Sequence, residues 1–209
     1  APVVNLVYGA KEFNQIRIDN GRVTIGASVT ITEVKDSDEL NQLLPGLGNY
    51  LNLMASTPIR NMATVGGNIA NGSPIGDVSV MLMGLDATLV LSNKGIKREV
   101  KLRDFFVGYK KVAKDAEELV ECVYFDKPNE STRFSFEKIS KRIHLDMATV
   151  NSSMRVVLEE GVIQTASFAV GGLGPTSRYL DKTADYLVGK KIDNATFKEA
   201  NHIAQTEIT

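Results

Sequence analysis

Tryptophan is absent from the 209 residues, and cysteine occurs once, as Cys122. A lone thiol excludes an internal disulfide framework, and it excludes structural zinc or iron–sulfur sites built from cysteines of this chain. A reducing compartment is the simplest setting. An excess of either charge sign is also missing, since 24 Lys and Arg face 25 Asp and Glu for a formal net charge of −1. With no block of about five like charges, the chain has no electrostatic footprint for a nucleic acid or a membrane surface. No apolar run approaches the roughly 18 residues of a membrane-spanning helix. The opening APVVNLVYGAKEF lacks the basic start and long apolar stretch of a signal peptide. These absences lead to the expectation of a soluble cytoplasmic protein. The first residue is not Met, which suggests a segment upstream.

What is present reads as an ordinary globular chain, with 43% hydrophobic residues, enough to bury a core in one large domain or two small ones. Asp19-Asn20-Gly21 between β-prone runs predicts a hairpin with strands near 14–18 and 22–28. Thr30 and Glu33 match a capping box, and Leu and Met at helical spacing through residue 54 predict two helical pieces broken at Pro45-Gly46. Ser73-Pro74 resembles an N-cap followed by Pro at the first helical position, opening the helix VSVMLMGLDA, which is apolar nearly all round. A second hairpin turns at Asn93-Lys94-Gly95, and a strand covers about 118–126. The polar, proline-containing DKPNEST predicts a boundary between a domain of residues 1–128 and one of residues 131–209. Beyond it RFSFEKIS, VNSSMRVVLEE and VIQTASFAVGG predict three antiparallel strands, with a tight turn at Glu159-Glu160-Gly161 and helices near 179–188 and 195–207. The fold class is α+β, two modules in series without repeats.

The concentration of glycine and small polar residues in TVGGNIANGSPIGD, residues 64–77, exceeds what a turn requires. Gly66-Gly67 would let backbone N–H groups and a ligand's phosphates approach closely. Asn68, Asn71 and Ser73 supply neutral donors and acceptors, and the N-terminus of the following helix supplies a positive dipole end. Asp77, acceptor-only when ionised, suits sugar or ribityl hydroxyls better than phosphate. The pattern taken alone is more often a plain connection into a helix than a cofactor site.

TPIRNMATVGGNIANGSPIGD resembles the flavin-binding segment of the FAD subunit or domain of the xanthine dehydrogenase and carbon monoxide dehydrogenase molybdenum hydroxylase family. IGASVTITEV, DFFVGYKKV, EELV, FEKISKRIHLDMATVNSSMRV and FAVGGLGPTSRYLDKTADYLVGK follow in that family's order over nearly the whole chain. The resemblance implies the second half of a PCMH-type FAD-binding domain, followed by a small domain like that of carbon monoxide dehydrogenase flavoproteins. It implies FAD contacts at Thr64, Val65, Gly66, Gly67 and Asn68, with Ser73 in the same loop and Asp77 as the flavin-contacting acid. Val120 on the strand after the FFxxY motif and Lys138 of FEKISKR would reach the flavin. Met54 stands where many members place an aromatic beside the ring. Val120 reads first as a core strand residue, and Lys138 is equally open to being a surface lysine.

The family's AGGTDL-type loop has no counterpart here. The resemblance therefore implies that the first FAD subdomain is missing and that an upstream polypeptide carries that loop. It also implies electron transfer through FAD to NAD or another acceptor, with molybdopterin on a large partner subunit and [2Fe–2S] clusters on a small one. Two rivals remain open: an assembly component of the same complex that holds no flavin, and a stand-alone PCMH-type flavoprotein reductase. Elsewhere, Cys122 reads as an inert buried thiol, His144 and His202 belong to no metal pattern, and no catalytic acid or base is expected. Arg60 is open to a phosphate or a salt bridge. Tyr109 reads as a core residue, with a gate for NAD as the alternative. GGLGPTSR imitates a phosphate loop but ends a strand and is assigned no ligand.

Overall fold

The computed structural model describes residues 10–208. Residues 6–9, which belong to the LVYGAKEF segment, lie outside that range. The Asn-Gly pair turns as its chemistry predicts: Asn20 and Gly21 take φ of 47° and 74°. Such left-handed positions match the strand twist at a two-residue hairpin. They join β1 (Ile16–Asp19) to β2 (Arg22–Gly26).

Six short helices follow: α1 (Ile31–Asp36), α2 (Asp38–Leu43), α3 (Leu47–Asn52), α4 (Thr57–Met62), α5 (Val65–Ala70) and α6 (Asp77–Gly84). The capping box opens α1 as expected, with Glu33 N–H donating to Thr30 Oγ1 at 3.1 Å and Thr30 N–H donating to Glu33 Oε2 at 2.7 Å. Gly46, at φ of 93°, separates α2 from α3 where the break was expected.

After α6 come β3 (Thr88–Asn93), β4 (Ile96–Lys101), the turn of helix α7 (Leu102–Phe105), the ribbon β5 (Phe106–Gly108) with β6 (Lys111–Val112), and β7 (Leu119–Asp126). These complete a five-stranded antiparallel sheet of order β1-β2-β7-β3-β4. The remainder is β8 (Thr132–Ile139), β9 (Val150–Glu159), β10 (Val162–Gly171), β11 (Arg178–Tyr179), α8 (Asp181–Leu187) and α9 (Asn194–Ile208). The second sheet has four strands in the order β11-β10-β9-β8, where the sequence predicts three. The fourth is two residues long, too short for any alternation to mark it.

All eight residues of α6 are buried, because the helix lies between the two sheets. One core joins Val23, Leu89 and Val123 of the first sheet to Phe136 and Ala169 of the second. Tyr50 meets Phe134 and Phe136 edge-on, with centroids 6.3 and 5.8 Å away, so the apolar packing continues past Pro128. Gly84 is required at the crossing: a Cβ there would lie 2.7 Å from Ser153 Cβ and 3.0 Å from Ser153 backbone. The opposite face of the second sheet packs Val156, Ile163 and Val170 against α8 and α9.

Two local expectations need correction. Ser73-Pro74 does not open a helix: Gly76 N–H donates back to Ser73 O at 3.2 Å, and α6 begins at Asp77 with Gly76 as N-cap. The cause is tertiary, since Pro74 O accepts from Gly172 N–H at 2.9 Å and from the Ser177 hydroxyl at 3.3 Å. The glycine pair, meanwhile, lies inside α5 rather than in a loop. Thr64 caps that helix by accepting from Gly67 N–H at 3.1 Å, and Gly66 packs so tightly that a Cβ would stand 2.6 Å from Ala27 Cβ.

Candidate functional site: a cleft over a buried ion pair

A cleft of about 510 Å³ opens where α4, α5 and the start of α6 meet β8 and the loop after it. That size lies within the roughly 300–1,000 Å³ of small-molecule sites. Its polar wall includes Asn68, Asn71 and Ser73, the Gly76-Asp77 step and Lys138, with Ser56 and Asp146 at the apolar side, where Met54, Ile59, Leu145 and Met147 lie. Five of the ten residues that the resemblance assigns to the flavin meet here, Met54, Asn68, Ser73, Asp77 and Lys138, joined by Asn71. The other five lie away from its lining. Val65 and Gly66 are buried in α5, Thr64 and Gly67 form its capped first turn, and Val120 is packed against the core from β7.

Lys138 is not a surface lysine. Its side chain is 3% exposed, and Nζ donates to Asp77 Oδ2 at 2.7 Å and to Leu53 O at 2.9 Å. Asp77, 7% exposed, accepts at its second oxygen from Asn151 Nδ2 at 2.7 Å. One carboxylate on α6 therefore holds donors from β8 and β9, and burial makes both contacts strong. Asn151 was missed by sequence reasoning. Its only trace is the polar register Asn151, Ser153 in a strand whose inward face would ordinarily be apolar.

Arg60 forms no salt bridge among the described residues. Buried on α4, it donates through Nη1 to Met54 O and Ala55 O, both at 2.7 Å, and through Nη2 to Thr57 Oγ1 at 3.0 Å. It therefore fixes the backbone of the cleft's apolar rim, where Ala55 takes φ of 48°. Tyr109, expected in the core, is 62% exposed at the β5–β6 turn. Burial pushes the half-buried Cys122 thiol up, which suits an inert side chain. Among the described residues no group of three or more His, Cys, Asp or Glu could hold a metal, and no helix is long and apolar enough to cross a membrane.

Residues 4–127 match the model of the FAD binding domain in molybdopterin dehydrogenase. The chain belongs to that family. Residues 135–209 match the CO dehydrogenase flavoprotein C-terminal domain. The nicotinate dehydrogenase FAD-subunit of Eubacterium barkeri is 30% identical over 90% of this chain and 65% of its own length. The carbon monoxide dehydrogenase medium chain of Afipia carboxidovorans is 29% identical over 91% and 66%. Xanthine dehydrogenase 1 of Arabidopsis thaliana is 28% identical over 94% of this chain, which spans 16% of that much longer protein. The structure of reconstituted CO dehydrogenase from Oligotropha carboxidovorans superposes with a TM-score of 0.87 at 27% identity, covering 93% of this chain and 68% of the other. The chain thus spans about two thirds of the FAD subunits it resembles. These relatives are oxidoreductases, and the mixed α/β fold with its antiparallel sheets is theirs.

The residues fit a flavin on one side of the cleft. Asn68, Asn71 and Ser73 offer both donors and acceptors, the pattern that polyol hydroxyls and ring carbonyls require. The N-cap of α6 brings no side-chain acceptor of its own to the first-turn N–H groups there. The expected phosphate cradle at α5 differs. Val65 N–H donates to Val29 O and Gly66 N–H to Ala27 O, both at 2.9 Å, and Gly67 N–H goes to Thr64 Oγ1. Those N–H groups already have partners within the chain.

Proposed function

We propose that this chain is the FAD-carrying electron-transfer component of a molybdenum-containing hydroxylase or dehydrogenase. On this reading molybdopterin resides on a large partner subunit and [2Fe–2S] clusters on a small one, and NAD or another carrier accepts the electrons. The observation that carries the reading is the meeting of Met54, Asn68, Ser73, Asp77 and Lys138 around one cleft, in a chain of this family. Bound FAD would supply the redox chemistry, since a flavin can collect single electrons from iron–sulfur clusters and pass them on to a one- or two-electron acceptor.

The chain's own residues bind and orient. Asn68, Asn71 and Ser73 hydrogen-bond neutral oxygens. Met54, Ile59, Leu145 and Met147 offer apolar surface, exposed at the last three, that a flavin ring would cover. Lys138 and Asp77 present opposite charges at 2.7 Å as an oriented dipole, and Asp146, paired with Arg142, adds a second carboxylate to the lining. No side chain here is required to move a proton.

A second reading, an assembly component without flavin, is favoured by one observation: the first N–H groups of α5 are already engaged inside the chain. An absorbance spectrum of the purified protein, followed by FAD titration alone and with the polypeptide encoded upstream, separates the two. Flavin bands or saturable binding in either arm support the first reading. No binding in both arms supports the second.

A further inference from the structure

We propose that Asn151 is a positioning residue for this cleft: its carboxamide sets the orientation of the Asp77 carboxylate and, through it, the place of the Lys138 ammonium. The inference rests on the flavin reading of the cleft and concerns a residue that lines none of it.

The two donors to Asp77 are direct neighbours, because Lys138 on β8 and Asn151 on β9 are register partners. Both side chains leave the same face of the sheet and converge on one carboxylate, Lys138 at Oδ2 and Asn151 at Oδ1. A carboxylate gripped at both oxygens cannot rotate without losing a buried bond. Asn151 also donates to Ile75 O at 3.3 Å, holding the cleft-lining backbone that leads into α6.

The amide is placed at a cost. Asn151 is 1% exposed, and its Oδ1 has no hydrogen-bond partner. Turning the amide over would satisfy nothing, since it would set Oδ1 against the carboxylate. A buried acceptor without a donor is unfavourable, and an apolar side chain would avoid it. What the asparagine supplies in return is the N–H aimed at Asp77.

The corner that imitates a phosphate loop serves the same end. A Cβ on Gly171 would lie 2.3 Å from Asn151 Oδ1 and 2.9 Å from Pro74 O. Glycine there leaves room for the carboxamide. Gly172, at φ of 87°, directs its N–H to Pro74 O and pins the turn before α6. The C-terminal sheet thereby sets the wall of a cleft whose polar residues, Lys138 and Asp146 apart, come from the first half of the chain.

The test is FAD titration of the complete protein as wild type, Asp77→Ala, Asn151→Ala and the double variant, with the visible circular dichroism of bound flavin and thermal melting recorded in parallel. If Asn151 acts through Asp77, Asn151→Ala weakens binding about tenfold in the wild-type background and less than about twofold in the Asp77→Ala background. The flavin circular dichroism should change with it. Should Asn151→Ala not fold, Asn151→Asp keeps the size, removes the N–H and faces Asp77 with a second carboxylate; the same non-additivity is expected. A lower melting temperature with unchanged flavin affinity and spectrum overturns the proposal and leaves Asn151 a fold residue. Equal losses in both backgrounds also overturn it. If Asp77→Ala itself binds FAD as wild type does, the flavin reading fails; if Asp77→Ala is weakened and both Asn151 variants are not, only this inference fails.

Discussion

Replacing Lys138 by Met should destabilise the fold far more than a lysine substitution usually does. The methionine keeps most of the apolar stem and fills the same channel, so packing changes little. What is lost is the ammonium, with its bonds to Asp77 Oδ2 and Leu53 O. Asp77, 7% exposed, is left with Asn151 as its remaining side-chain donor. Removing one partner of a buried pair costs about 3–5 kcal/mol, because the other charge stays buried and uncompensated. For a chain of this size about 2–4 °C of melting temperature accompanies each kcal/mol, so a fall of roughly 6–20 °C is expected. Lys138→Met/Asp77→Asn removes both charges and should return to within about 1 kcal/mol of the wild type. Denaturant unfolding of the flavin-free protein measures all three. A Lys138→Met variant within about 0.5 kcal/mol of the wild type, or a double variant no better than the single, refutes the reasoning.

The glycine pair separates packing from capping. Gly66→Ala should cost about 1–3 kcal/mol by forcing Cβ against Ala27. Gly67→Ala meets only the Thr64 hydroxyl, at 2.9 Å, and should lose about 1 kcal/mol of capping, as read by melting curves. Gly84→Ala should open the contact between α6 and β9, visible as faster amide exchange in α6; unchanged protection would show the crossing to be looser than its geometry. The hydrogen bond from Arg98 holds the Glu118 carboxyl at about 2, well below the ordinary glutamate value of 4.5. A lowered carboxylate pKa stabilises the fold above the unfolded value, so this contribution is complete above about pH 4.5 and is lost as pH falls toward about 2. Carboxyl NMR titration of Glu118 should show that midpoint, and Arg98→Gln should move it upward.

Local chemistry made much of the fold legible. Asn20-Gly21, Asn93-Lys94-Gly95 and Glu159-Glu160-Gly161 turn where they should, with Lys94 and Glu160 at φ of 47° and 48° and a positive-φ glycine after each, as a two-residue hairpin turn requires. The unbroken apolar run of α6 correctly implied burial on all sides. Helix α5 was illegible because paired glycines ordinarily argue against helix, and only its packing on Ala27 reverses that. The helix start at Asp77 rather than Pro74 depends on donors about a hundred residues later, Gly172 and Ser177, which no local pattern contains. The site divides in the same way. The small polar residues of the 64–77 stretch and the acid at 77 were visible as candidates, whereas the bond from Lys138 to Asp77 and the role of Asn151 arise from strand register.

The central claim, that this cleft holds FAD, is tested most directly by filling it. Asn71 is exposed at the end of α5 and lines the cleft without contributing to the core, so Asn71→Trp should block the space and leave the fold intact. FAD titration of the complete protein, wild type against Asn71→Trp, is the measurement. Saturable binding in the wild type that is lost in the variant, at an unchanged melting temperature, is the predicted result. Equal FAD affinity in the two proteins would contradict the account.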